Sequence, residues 1–317
     1  MRIVAALGGN ALLERGEKPD SDIQEQHVSQ AVAALAPLAR EHELVITHGN
    51  GPQVGLLALE SERDPALSHP YPFDALGAQT QGMIGYWVAR ALRREVPGRP
   101  AGCLITQVLV DADDPAFGTP TKFVGPVYDE ARARELAATR GWVIRPDGAA
   151  WRRVVPSPEP RGLLELPLIT SLIDGGAIVV CAGGGGIPVV ADASGTLTGV
   201  EAVIDKDLTA ALLGRLVKAD ALLLLTDVEA VIDGYGTPDA RPIGTTTPAE
   251  LRARSFPSGS MGPKVEAACR FVEATGRTAA IGSLREAAGM LAGKSGTLVA
   301  SRSGDPEASG TIRHRLA

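Results

Sequence analysis

Lysine is scarce in this chain. There are six, at positions 18, 122, 206, 218, 264 and 294, among 31 basic residues. Arginine is the default cation, so a lysine inside a motif is harder to dismiss as generic surface. Cysteine is scarcer still. Cys103, Cys181 and Cys269 stand in apolar or small-residue surroundings, and none belongs to a CxxC pair. Such a set reads as buried thiols in a reducing compartment. The five histidines (27, 42, 48, 69 and 314) form no HxxH or HExxH pattern, and His48 alone reads as a structural or hydrogen-bonding residue. No run approaches the roughly 20 apolar residues that span a bilayer. The opening MRIVAALGGN lacks the long apolar core of a signal peptide. The expected place is therefore the cytoplasm, without a membrane. A net charge of −6 argues against general nucleic-acid binding.

What is present is ordinary in bulk and specific in pattern. With 317 residues, 44% hydrophobic and 21% charged, the chain suits one large α/β domain or a domain with a subdomain. Strands are expected at 3–7, 43–47, 103–110, 177–182, 221–226, 278–281 and 297–300. Several are continuous apolar runs, as in strands buried on both faces of a parallel sheet. Helices fall between them. Ser21 and Gln24 have capping-box spacing before 22–35, with Pro37 expected to end or kink that helix. Leu208, Ala211, Leu212 and Leu216 mark a helix over about 205–217. Val265, Ala268, Phe271 and Val272 mark another after Pro263, read as a first helical position. The alternation predicts a doubly wound sheet. Residues 111–165, rich in Pro, Asp and Arg, read as an excursion: a small lobe or lid.

Four glycine turns, GGN at 8–10, HGNG at 48–51, GGGG at 183–186 and GSMGP at 259–263, are expected at strand ends. That is where doubly wound sheets bind ligands, and free helix N–H groups there favour anions. None matches GxxxxGK[ST] or GxGxxG, so neither a P-loop NTPase nor a Rossmann dehydrogenase is indicated. The first turn carries no cation. Lys206, beside Asp207, and Lys264 instead open two helices, where lysine opposes the helix dipole unless an anion compensates it. Lys122 stands in TPTKFVGPVY within the excursion. Positioned ammonium groups are what phosphoryl transfer asks of a protein, and Asp207 could hold two of them apart yet aligned.

The segments ALGGNALL, ITHGNGPQVGLL, LGAQTQGMIGYW, WRRVVPSPEP, AGGGGIPVV, AVIDKDLTAALL and GSMGPKVEAA together resemble the carbamate kinases, in that family's order from residue 3 to about 300. The resemblance implies an open αβα sandwich of the amino-acid-kinase type with a mainly parallel sheet: one domain over 1–317, with a subdomain protruding at about 111–165. It implies reversible phosphoryl transfer between ATP plus carbamate and ADP plus carbamoyl phosphate with Mg²⁺, a homodimer, and a fermentative place in arginine metabolism. By position, Lys122, Lys206, Asp207 and Lys264 match the family's catalytic set. Gly8, Gly9, Asn10, Gly49, Asn50, Gly51, Gly184 and Gly185 match its phosphate and substrate turns. Asp227, Val228, Tyr235 and Met261 lie where its nucleotide loops run. No protein metal ligand is implied, with Asp207 the nearest protein neighbour of the metal. Many amino-acid kinases carry a lysine where this chain has Ala6; Lys122 looks like its replacement, brought from the lobe. Ile232 stands where the family often has an aromatic residue, leaving Tyr235 as the aromatic for the adenine side. Met83, Ile84 and Trp87 read, on the resemblance, as a subunit contact, and on spacing alone as core.

Two other readings stand beside this one. Another small-molecule kinase of the same fold would need a polar set for a larger acceptor. A non-catalytic nucleotide-binding regulator should have lost part of the lysine set.

Overall fold

The structure is a computed structural model describing residues 1–14, 16–256 and 259–302, with Asn10 described in its backbone only. Its largest sheet has eight strands: β1 (Arg2–Leu7), β2 (Glu43–His48), β3 (Ala101–Cys103), β4 (Ile178–Val180), β5 (Ala221–Thr226), β6 (Thr245–Thr246), β7 (Thr278–Ser283) and β8 (Thr297–Val299). They lie in the order β6-β8-β7-β5-β1-β2-β4-β3. Every neighbouring pair is parallel except β7 and β8. Helices cover both faces, so the strands lack polar alternation. Ile3, Ala5 and Leu7 pack under α1 (Ser21–Glu41) and α3 (Phe73–Glu95). Val4 and Ala6 pack on the opposite side with α4 (Lys206–Leu216) and α5 (Met261–Thr275). This is the three-layer αβα sandwich.

Four local expectations are corrected. α1 runs through Pro37 to Glu41. The ring removes one N–H, but Ala36, Leu38 and Ala39 are buried and keep the last turns docked. The capping box is not formed. Asp20 is the cap, without a side-chain bond, and Gln24 is engaged elsewhere, donating to the Pro19 carbonyl at 2.7 Å and accepting from Gln53 at 2.8 Å. The stretch 103–110 is two strands. β3 ends at Cys103, and Gln107–Leu109 joins Ile187–Ala191, Leu197–Gly199 and Gly162–Leu163 in a second sheet. Gln81 holds the bend between them, its Oε1 accepting from Thr106 N at 2.8 Å. Pro263 is the third residue of α5 rather than the first; its missing N–H still falls among first-turn donors that have no partner within the helix.

Within 111–165 the chain forms a three-stranded antiparallel sheet from Lys122–Tyr128, Val143–Asp147 and Ala150–Val155, the last in the middle, with a helix over Glu130–Arg140. It rests on α2 (Gly51–Arg63). The approach is close: a Cβ on Gly55 would lie 2.6 Å from the Gly125 Cα. Val124 and Val155 of this sheet share a small apolar cluster with Val54, Phe73 and Leu76. The expected subunit contact on α3 is also corrected in part. Ile84 and Trp87 are buried within this chain, and Met83 is partly buried against the same core.

Candidate active site

The carboxyl ends of β1, β2 and β4 converge because the three strands are sequential neighbours in one parallel sheet. Each runs into a glycine turn. After β1, Gly8 N donates to the Leu225 carbonyl at 3.1 Å and tucks the turn beside β5. After β2, Gly49 N donates to the Leu7 carbonyl at 3.0 Å. Gly49 is confined: an added Cβ would meet Gly9 N at 3.2 Å and the Lys206 side chain at 3.3 Å. Asn50 and Gly51 then open α2, and the Asn50 amide donates to Thr80 at 2.8 Å. Gly184 and Gly185 are buried, Gly184 facing the Asn50 side chain and Gly185 the Ile204 backbone. Thr209 of α4 donates to the Gly185 carbonyl at 2.8 Å. The fourth turn, 259–263, does not follow a strand; it opens α5 after the short helix Pro248–Arg252.

The lysines meet over this floor. Lys206 Nζ donates to Asp207 Oδ1 at 2.6 Å, and Lys264 Nζ to Asp207 Oδ2 at 3.0 Å. One buried carboxylate therefore holds two ammonium groups, one on each oxygen. Lys122 reaches in from the lobe and donates to Asp205 Oδ2 at 2.6 Å. The other Asp205 oxygen caps α4, accepting from Asp207 N at 2.9 Å and Leu208 N at 3.3 Å. Three ammonium groups thus face two carboxylates, leaving one unit of positive charge.

Burial and charge set the protonation states. Burial, reinforced by Lys264, pushes Lys206 down to about 8 against the pull of Asp207. Burial also works against the charge on Lys264, but Asp207 outweighs it and holds that lysine above its ordinary value. Burial alone would raise Asp207; Lys206 and Lys264 instead hold it far below the carboxylate range. Burial would likewise raise Asp205, and Lys122 together with Lys206 keeps it low. His48 is pushed down to about 4 by burial, with Lys206 adding to the effect. It is neutral, and its Nδ1–H donates to the Gly49 carbonyl at 2.8 Å. The thiols of Cys103, Cys181 and Cys269 are all pushed up by burial and have no nucleophilic character here. Cys103 is only half-buried.

Of the expected catalytic set, Lys122, Lys206, Asp207 and Lys264 come together, with Lys206 against Gly49 of the turns that hold Gly8, Gly9, Asn50 and Gly51. The side chain of Asn10 lies outside the described residues. On the nucleotide side, Asp227, Val228 and Tyr235 are exposed after β5. Met261 packs half-buried against the core. No hydrogen bond or ion pair links Val228, Tyr235 or Met261 to the lysines. Asp205 was missed by sequence reasoning. Its signal was there: in IDKDL it takes the N-cap position of a helix whose next residue is a lysine, the position where aspartate is favoured. Among the described residues no group of three or more His, Cys, Asp or Glu could hold a metal ion.

Three lysines held on two carboxylates beside the glycine turns of a mainly parallel αβα sheet suit a small-molecule kinase. The chain belongs to the amino acid kinase family, whose model matches residues 1–283. Within it the chain stands with the carbamate kinases. It is 54% identical to a carbamate kinase of Rhizobium meliloti, over 96% of this chain and 95% of that one. It is 47% identical to a carbamate kinase of Thermococcus kodakarensis, over 94% and 98%. A carbamate kinase structure from Giardia lamblia bound to AMP-PNP superposes with a TM-score of 0.87 at 39% identity, over 95% of this chain and 98% of that one.

Proposed function

We propose that this chain is a carbamate kinase, transferring a phosphoryl group reversibly between ATP and carbamate, and working towards ATP from carbamoyl phosphate and ADP. The single observation that carries the reading is the pairing of Lys206 and Lys264 on one buried Asp207 carboxylate, set over the glycine turns with Lys122 alongside. In the forward sense a β-phosphate oxygen of ADP forms a bond to phosphorus. The bond from phosphorus to the carbamoyl oxygen breaks, and its electron pair leaves with carbamate. The protein supplies no covalent partner. Its work is to place charge on the moving phosphoryl oxygens. Gly8, Gly9, Gly49, Asn50 and Gly51 shape the phosphate path, with the Gly8 and Gly49 N–H groups bracing the turns on the Leu225 and Leu7 carbonyls, and Gly184 and Gly185 close the substrate end. Asp227, Val228, Tyr235 and Met261 take the nucleotide side.

Magnesium fits as a cation carried on the nucleotide. Both Asp207 oxygens and both Asp205 oxygens are engaged by lysines or by helix N–H groups, so the donor set resembles no protein cage; Mg²⁺ commonly keeps phosphates and water as ligands. It neutralises nucleotide phosphate charge. The segment about 111–165 acts as a lid that brings Lys122 to the crevice. A homodimer, a cytoplasmic location and a role in arginine breakdown complete the reading. No helix of the described residues is long and apolar enough to cross a membrane.

The test is a coupled assay: purified protein, carbamoyl phosphate and MgADP, with ATP read by luciferase. ATP should form with carbamoyl phosphate and not with acetyl phosphate. Absence of ATP above the enzyme-free blank, or equal rates with both donors, would overturn the assignment.

A further inference from the structure

The three ammonium groups of the site are not held alike. Lys206 and Lys264 are 13% and 11% exposed at their side chains, and both belong to helices packed on the sheet. Lys122 is 33% exposed and belongs to the lobe. Its strand partner is Val155, and its sheet touches the body through α2 and the small cluster around Phe73. The ion pair to Asp205 spans 83 residues of chain and joins lobe to body at the site itself. Lys122 is held at its ammonium by Asp205, whereas Asp205 is held on both oxygens. Its Oδ1 is fixed by two backbone N–H groups of α4, so its Oδ2 is aimed by the helix rather than by a free rotamer.

We propose that Asp205 is a positioning residue. Held by the N-terminus of α4 through one oxygen, it uses the other to seat the lobe's Lys122 beside the Asp207-bridged pair. Asp205 itself touches no phosphoryl oxygen; it acts through Lys122. Its charge and its cap are separable, because asparagine and serine also cap helices well. Asp205→Asn and Asp205→Ser therefore keep the helix terminus and remove the attraction for the ammonium. Aspartate's second task then fails while its first persists.

The experiment has two halves, and only the kinetic half rests on the carbamate kinase reading. Hydrogen–deuterium exchange is measured on residues 122–128 and on α4, in the wild type, Asp205→Asn, Asp205→Ser and Lys122→Met. All three variants should speed exchange at 122–128 by at least about tenfold and leave α4 as protected as in the wild type. In the ATP-forming assay, Asp205→Asn should lower kcat by roughly 10–100-fold and add nothing further on a Lys122→Met background, because the two residues act as one unit. Unchanged exchange at 122–128 overturns the inference. So does loss of α4 protection in both Asp205 variants, which would make the residue a cap alone, and so do kinetic defects that multiply. If the wild type makes no ATP, the assigned activity fails, and the exchange comparison alone decides whether Asp205 seats the lobe.

Discussion

Replacing Asp207 by asparagine tests the centre of the site. The carboxylate binds Lys206 at 2.6 Å and Lys264 at 3.0 Å, and the substitution keeps its shape while removing its charge. Two ammonium groups then face each other with no anion between them. At about 4 Å two unit charges repel by about 4 kcal/mol at the effective dielectric of a protein site. The pair relieves this by splaying or by shedding a proton. Lys206 is the member that yields, since burial already brings it to about 8. Either response removes one correctly placed charge from the transferring phosphoryl group. Loss of one such contact costs roughly 10²–10³ in rate, about 3–4 kcal/mol. Lys264→Ala should therefore lower kcat by that factor with little change in KM, and Asp207→Asn should do nearly as much. The double variant should be little worse than either single one, because both lose the same arrangement. The assay is steady-state ATP formation with carbamoyl phosphate and MgADP varied separately. A double variant whose defect is the product of the two single ones refutes the shared carboxylate. Near-normal kcat in Lys264→Ala refutes the catalytic role of that lysine and leaves it a buried structural partner of Asp207.

Lys206 needs its proton, and its depressed value means that the proton leaves as pH rises through about 8; kcat/KM should be flat below that pH and fall above it. A Lys206→Arg variant, permanently charged, should lose that alkaline limb whatever its absolute rate, and a limb that persists would assign it elsewhere. Excising residues 122–155 and bridging Thr121 to Pro156, whose neighbourhood is closed by the 3.2 Å bond from Thr121 N to the Val155 carbonyl, should leave ADP binding by calorimetry and abolish turnover. Loss of ADP binding in a folded excision variant would place the lobe in nucleotide recognition instead. Arg99 donates to the carbonyls of Ala39, His42 and Gly176, tying the end of α1 to the lower edge of the sheet. Arg99→Ala should cost about 3 kcal/mol, lowering Tm by about 5 °C with kcat unchanged at 25 °C, and an unchanged melting curve would show those carbonyls to be satisfied by water.

Much of the fold was legible because burial on both faces leaves a plain signature. The runs at 3–7, 43–47 and 221–226 are apolar apart from Glu43, Thr47 and Thr226, and the strands fall there. Where local signals misled, a tertiary contact had taken the group concerned. Gln24 was spaced for a capping box but bonds Pro19 and Gln53. Pro37 was spaced to end α1, but the turn beyond it is buried. The run 103–110 read as one strand because periodicity records which faces are apolar, not where a chain leaves one sheet for another. Ile84 and Trp87 were apolar at helical spacing, which does not distinguish a core from a subunit contact; they are core.

By itself the sequence determined the strand and helix types, the glycine turns, and the placing of Lys206 and Asp207 in the first turn of one helix. These are matters of residue chemistry and spacing within a single element. Only the tertiary structure decided that Lys264, 57 residues away, shares the Asp207 carboxylate, and that Lys122, 83 residues away, rests on Asp205. The reason is physical. The order of strands in the sheet and the docking of the lobe on α2 set which helix ends face one another, and neither is encoded in the periodicity of any one segment. Asp205 caps α4 with one oxygen, and only the docking of the lobe gives its other oxygen a partner in Lys122.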